Sequence, residues 1–405
     1  MFNKSRAKIS KSVRAKKENI KKSIYKNVYQ SQTIDPNLIL FESGLGRNYT
    51  GNPKAIYEQL LAAGLDKKYT IYWVFEDTSI VIPGQAGKVV RGSLQHLKLL
   101  SRAQMWIFDT RQPNFIVKNP KTHYIMTWHG TPLKKLALDL DDVQMAGNNG
   151  IESYKANFWN DTRSWDYLIA QNEYSSKIFE DCFDFRKTML DIGYPRNDKL
   201  VNCNNKEYID KIKTKHGIPK DKKVVLYAPT WRDYESKGRG KYIFNPQLNF
   251  DILKRALKDE YVFIVKYHYL IASSIDWRRF EGFIYDINED IADLYLMSDI
   301  MMTDYSSVMF DYSVLGRPMI FYTYDLNTYG DNRGFYFDFI GEVPGPFAYN
   351  TNELIEILNG GTDFSEYKEK YHAFQKKFNS WDDGKASEKV VKLISDIMEH
   401  PEINK

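Results

Sequence analysis

Short apolar runs separated by polar, helix-periodic stretches set the rhythm of this chain. Asn37 to Glu42 reads as a buried strand, and Asn52-Pro53 opens a helical run to Ala63 that Gly64 can end. Further strands are predicted at Thr70 to Phe75, around Lys88 to Val90, at Met105 to Phe108, His123 to Trp128, Trp165 to Ala170 and Thr188 to Ile192. Helices are predicted from Leu94 and over Ser175 to Phe183, before the turn-rich segment 193 to 198. A second series starts at Val224 to Ala228. Its helices fall at Phe250 to Leu257, Asp290 to Met297 and Ser307 to Leu315, and its strands at Tyr261 to Lys266, Phe283 to Asp286, Asp299 to Thr303 and Pro318 to Tyr322. From Thr351 onward the pattern is helical in three pieces. Strands alternating with helices argue for parallel sheets covered on both faces, so the expected fold is α/β, with two doubly wound Rossmann-like domains and a cleft between them. The boundary belongs near residues 195 to 222, dividing the chain into 31–205 and 206–405 after an N-terminal segment, 1–30.

That first segment has its own pattern. Ile9, Val13, Ile20, Ile24 and Val28 fall along one stripe of a helix, while ten lysines and arginines between Lys4 and Lys26, among them Lys8, Lys11, Arg14, Lys17, Lys21 and Lys22, face only Glu18. A basic amphipathic helix of this kind can lie on an anionic leaflet, with each cation near the surface contributing on the order of 1 kcal/mol. A solvated arm or an RNA-contacting tail is the competing reading. Tyr25 and Tyr29 alone would offer stacking surfaces there, so no nucleic-acid partner is expected. No apolar run is long enough to span a bilayer, and the N-terminus lacks the h-region of a secretory signal.

Composition agrees with a globular body: 43% of residues are hydrophobic and 27% charged, enough to build cores and keep the outside solvated. The net charge of +5 resides mainly in the tail. Cys182 and Cys203 fit neither a disulfide framework nor a metal-ligand spacing, which favours a reducing compartment.

Three places carry the right residue types for chemistry. His129 follows an apolar strand, with Thr131 and Pro132 suited to cap and start a helix, so the imidazole would enter the cleft as a base or else simply brace its loop. The strand Ile300 to Thr303 runs into Asp304, Tyr305, Ser306 and Ser307 at a helix start, where free N–H groups and hydroxyls suit phosphate, and Asp311 one turn later can accept from ribose hydroxyls. Plain capping explains the same serines. Thr230 and Arg232 end one strand of the second series, and Lys266 and His268 end another, a set suited to a nucleotide diphosphate although each alone is an ordinary surface group. Asp139 and Asp141 have a DxD spacing but also fit a solvated helix end, and no metal residue is assigned. Motifs of P-loop NTPases, zinc proteases and serine hydrolases are missing.

In this setting the chain resembles the CDP-glycerol glycerophosphotransferase family of teichoic acid and capsule assembly. The resemblance runs through Phe41-Glu42-Ser43, Gly51 to Tyr57, TWHGTPLKKL (127 to 136), GYPRND (193 to 198), YAPTWR (227 to 232), SDIMMTDYSSVMFDY (298 to 312) and RGFYFDF (333 to 339). It implies a GT-B-like fold, a CDP-glycerol or CDP-ribitol donor, and attack by an acceptor hydroxyl on the β-phosphate with CMP leaving. It also implies His129 as base, His268 as second essential histidine, and Thr230, Arg232, Ser306, Ser307 and Asp311 in the donor region. In the family a proline commonly follows the second histidine; here Tyr269 does. No cofactor is implied, and the acceptor is expected to be an undecaprenyl-diphosphate-linked precursor at the cytoplasmic face of the membrane. An ordinary nucleotide-sugar glycosyltransferase on the same fold is the rival enzyme reading.

Overall fold

The computed structural model describes residues 16–142, 150–230, 247–266, 277–326, 334–361 and 364–400. Two all-parallel sheets organise them. The first contains β1 (Asp35–Glu42), β2 (Thr70–Phe75), β3 (Gly87–Val90), β4 (Ala103–Phe108), β5 (His123–Met126), β6 (Tyr167–Ala170) and β7 (Thr188–Asp191), in the order β3-β2-β1-β4-β5-β6-β7. The second contains β8 (Lys223–Ala228), β9 (Tyr261–Val265), β10 (Ile284–Tyr285), β11 (Ile300–Thr303), β12 (Met319–Tyr322) and β13 (Phe347–Ala348), in the order β10-β9-β8-β11-β12-β13. In each sheet the strand order reverses at the first strand, creating a switch point between β1 and β4 and another between β8 and β11.

The apolar runs are continuous because both faces are covered. Alternate residues of β1 diverge: Leu38 and Leu40 join Tyr25, Leu97, Leu100 and Phe179, whereas Ile39 and Phe41 join Ile56, Tyr57 and Leu60. The second sheet does likewise, with Val224 and Leu226 facing Met309, Phe310 and Phe374, and Val225 and Tyr227 facing Phe250, Leu253 and Leu354.

Chain order and packing do not coincide at either end. Leu200, ahead of residue 206, is already buried in the second domain's core. The last helix, Ala386–Glu399, returns to the first domain and buries Val390, Val391, Ile394 and Ile397 beside Ile56 and Tyr57. At the N-terminus, residues 16–24 are α-helical and Tyr25–Tyr29 continue as a π turn. Tyr25 is fully buried and its hydroxyl donates to the Val117 carbonyl at 2.7 Å, whereas Ile20 and Val28 of the expected stripe remain about half exposed. Packing against the first domain therefore falls to the aromatic ring, while Ile20 and Val28 face outward.

Two helix expectations are corrected. No helix follows Pro132: Leu133 to Lys135 pair with the second domain instead, Tyr336 N donating to Leu133 O at 3.0 Å and Lys135 N to Gly334 O at 3.2 Å. Local capping signals lose to this interdomain pairing. The helix expected over 307–315 is α-helical only over Val308–Tyr312 and tightens to a single 3₁₀ turn at Ser313–Leu315.

Candidate active site

The site forms where the carboxyl ends of the two sheets meet. After β5 the chain runs one more residue in ladder register, Thr127 N donating to Phe108 O at 2.8 Å, and then turns sharply at Trp128, whose φ of 50° is left-handed and costly for a bulky residue. Trp128 is held by packing against Phe179 and Phe183, and its ring stacks on His129 with centroids 4.4 Å apart. Polar support comes from Asn52, in the first turn of helix Gly51–Ala62 and fully buried. Its Nδ2 donates to the carbonyls of Thr127 at 2.9 Å and Trp128 at 3.2 Å.

This turn leaves His129 open to the groove, with Nδ1 2.9 Å from the backbone carbonyl of Asp109. A carbonyl only accepts, so the neutral ring carries its proton on Nδ1 and leaves the Nε2 lone pair available. Desolvation on the inner side lowers the imidazole pKa below its ordinary value; the Arg196 charge lowers it further, and the bond to Asp109 O opposes both. The neutral base is therefore the prevailing form at neutral pH. The Asp109 carboxyl accepts from Gly44 N at 2.9 Å and is pushed up to about 7, chiefly by burial, with Glu42 adding to the rise.

Opposite this floor, β8 and β11 present their carboxyl ends. Thr303 Oγ1 donates to Ala228 O at 2.8 Å, and Thr230 N donates to the buried Asp304 carboxylate at 2.8 Å, which fixes the loop that carries Thr230. Ser306 and Ser307 are partly exposed beside it. Ser307 reaches the histidine loop directly: a Cβ placed on Gly130 would lie 3.0 Å from Ser307 Oγ. The imidazole loop and the hydroxyl-rich turn thus share one groove. Lys266 directly follows β9, its N–H donating to Tyr227 O at 2.9 Å. Arg232 and His268 lie outside the described residues, as do Lys8, Lys11 and Arg14.

Asp311 is placed differently from the sequence expectation. Rather than opening toward a ligand, its carboxylate is buried and accepts from Arg196 at 2.6 Å and from Asn197 Nδ2 at 3.2 Å. The acidic stretch after Leu138 is also occupied, Asp139 accepting from the Tyr336 hydroxyl at 2.6 Å and Asp141 pairing with Lys135 at 3.0 Å. Among the described residues no cluster of His, Cys, Asp or Glu has the geometry to hold a metal ion. In the N-terminal helix Lys17 and Lys22 are exposed, Lys21 pairs with Glu18 at 3.4 Å, and no described helix is long and apolar enough to cross a membrane.

Asn52, Asp109 and Arg196 are the site residues that sequence reasoning did not single out. Asn52 and Arg196 stand inside motifs that it quoted, and Asp109 directly follows an apolar strand. Their signal is a lone polar residue at the edge of a buried element, which is too common to select them.

Comparison with known proteins bears on this arrangement. Residues 24–396 match the model of the family described as CDP-Glycerol:Poly(glycerophosphate) glycerophosphotransferase. The chain is 43% identical to the teichoic acid glycerol-phosphate transferase of Staphylococcus aureus, over 93% of this chain and 99% of that protein. It is 42% identical to the teichoic acid poly(glycerol phosphate) polymerase of Bacillus subtilis, where it spans 53% of the polymerase's length. A solved structure of the wall teichoic acid polymerase TagF superposes with a TM-score of 0.90 at 39% identity, covering 98% of each chain. With its paired parallel sheets and shared groove already described, the chain belongs to the CDP-glycerol:poly(glycerophosphate) glycerophosphotransferase family and has that family's GT-B-like fold.

Proposed function

We propose that this enzyme transfers glycerol phosphate from CDP-glycerol to a hydroxyl of a lipid-linked, undecaprenyl-diphosphate-bearing teichoic acid precursor. The observation that carries the reading is the His129 tautomer: Nδ1 is committed to a carbonyl, and Nε2 is left basic in a groove shared with Ser307. In the reaction, Nε2 takes the proton of the acceptor hydroxyl as its oxygen attacks the glycerol-bearing phosphorus. The bond from that phosphorus to the CMP oxygen breaks, and CMP leaves with the electron pair. Thr230, Ser306, Ser307 and Lys266 are proposed to hold the donor diphosphate, with Arg232 and His268 contributing to the same task. Asp311 is proposed to serve the donor wall through Arg196 instead of meeting ribose.

His129→Ala tests this directly. Transfer should disappear while CDP-glycerol still raises the melting temperature; turnover at the wild-type rate removes His129 from the mechanism. Product mass after incubation with CDP-glycerol and, separately, CDP-ribitol identifies the polyol and the number of units added. The basic N-terminal helix is proposed to rest on the cytoplasmic leaflet through Lys17, Lys21 and Lys22 together with Lys8, Lys11 and Arg14. The outward Ile20 and Val28 support that reading, because they leave an aliphatic surface among cations. Charge reversal at Lys17, Lys21 and Lys22 should abolish binding to anionic vesicles and spare turnover on a soluble acceptor.

A further inference from the structure

We propose that Arg196 is a positioning residue that sets the separation between the base and the donor wall, an inference that rests on the reading of His129 given above. Its guanidinium touches both sides of the groove. One nitrogen donates to the His129 carbonyl at 2.8 Å, and the other donates to Asp311 Oδ2 at 2.6 Å, in the short helix that begins just after Ser307. The two side chains are only 14% and 6% exposed, so the pair is shielded from water and from screening. Three more contacts fix the fork. Asn197 Nδ2 donates to the other Asp311 oxygen at 3.2 Å, Arg196 N donates to Asn52 Oδ1 at 3.2 Å, and the guanidinium carbon lies 4.8 Å from the Tyr194 ring centroid.

These contacts close a loop through the chemistry. Asn52 holds the Trp128 turn from one side, Arg196 holds His129 from the other, and Asp311 ties both to the element that carries Ser307. A planar fork can bond two diverging acceptors at once, whereas an ammonium at the same place cannot keep both in fixed geometry. Transfer depends on the acceptor oxygen, held at Nε2, lying in line with a phosphorus held on the opposite wall. A displacement of about 1 Å between such groups costs roughly 100-fold in rate.

The test uses the full-length chain with CDP-glycerol and a soluble lipid-disaccharide acceptor. Arg196→Lys, Asp311→Asn and the double variant are compared with wild type for kcat, for KM of CDP-glycerol, and for the thermal shift that the donor produces. Each single variant should lower kcat roughly 100-fold and leave KM for CDP-glycerol within about threefold, and the double variant should be no slower than the slower single. Wild-type kcat in Arg196→Lys overturns the proposal. So does a raised KM with unchanged kcat, which would make Arg196 a donor ligand, or losses that multiply in the double variant. Arg196→Lys and Asp311→Asn keep side-chain volume and a polar partner, and circular dichroism confirms folding before rates are compared. An active His129→Ala enzyme would defeat the underlying reading whatever the Arg196 variants do; an inactive one beside a fully active Arg196→Lys defeats this inference alone.

Discussion

Replacing Asn52 by alanine should damage stability and catalysis together, because one amide hydrogen-bonds three backbone groups. Its Nδ2 serves the carbonyls of Thr127 and Trp128 at 2.9 and 3.2 Å, and its Oδ1 receives the Arg196 N–H at 3.2 Å. The residue is fully buried, so no water replaces it without rearrangement. At about 1 kcal/mol net for each bond, more where a buried group is left unsatisfied, the loss comes to about 2–4 kcal/mol. For a domain of this size, that is a fall in melting temperature of roughly 5–15 °C. Released from Asn52, Trp128 can relax from its left-handed φ of 50°, carrying His129 with it, so kcat should fall further than the loss of folded protein explains. Asn52→Asp keeps the shape but turns a carboxylate oxygen toward two carbonyls, and should be the less stable of the two. Urea unfolding and steady-state transfer on the same preparations measure both effects. An Asn52→Ala protein within about 0.5 kcal/mol of wild type and with wild-type kcat would show that the Trp128 turn needs no such brace.

The Asp109 carboxyl is raised to about 7. The folded state therefore holds a proton that the unfolded chain has lost, and this contribution is present below about pH 4 and disappears as pH climbs through about 7. Asp109→Asn should gain on wild type in melting temperature from about pH 4.5 to about 7 and then level off, and parallel curves would refute the assignment. Because desolvation lowers the His129 pKa, the acidic limb of kcat/KM should fall below about pH 6.5; a limb above 7 contradicts it. Ile394→Ala, at a fully buried site of the last helix, should cost about 2–4 kcal/mol and be read by Trp73 in the same core, whereas a response confined to the second domain would refute the packing.

What the sequence makes legible here follows the range of the forces. β1, β4, β8 and β11 are runs long enough to identify themselves, and their alternation with helices implies parallel sheets before any contact is known. β13, only Phe347–Ala348, has too few residues for a period. The segment after Pro132 shows the limit from the other side: Thr131 and Pro132 have the local features of a helix start, but Thr131 Oγ1 donates to Gln171 at 2.6 Å and the next residues pair across the groove. His129 was legible because a strand end aims a side chain at the cleft. Asp311 was legible as a helical residue near the serines but not as Arg196's partner, since 115 positions separate the two in the chain. An amphipathic helix announces that one face is buried and never which domain buries it, so the return of Ala386–Glu399 to the first core had no sequence signal.

That return is what makes the groove mechanically coherent. The chain crosses between domains twice, at 193–198 and again before the last helix, and the two crossings lie against each other. Gly193, at φ 83°, passes so close to Trp381 that an added Cβ would sit 2.5 Å from its carbonyl oxygen. Tyr194 N and Asn197 Nδ2 both donate to Asp382, at 3.1 and 3.3 Å, and Asp198 caps the last helix through the N–H groups of Ala386 and Ser387 at 3.0 and 2.7 Å. Gln171, at the end of β6, adds a bond to Asp382 at 2.9 Å. The domains are also tied outside these crossings, by Lys54 to Asp290 at 2.6 Å and by Lys135 N to Gly334 O at 3.2 Å. Arg196 lies within the first crossing, where its backbone N–H and its guanidinium are both bonded. The His129 carbonyl and Asp311, both held by Arg196, are thereby tied to the same bonded crossings that join the two domains.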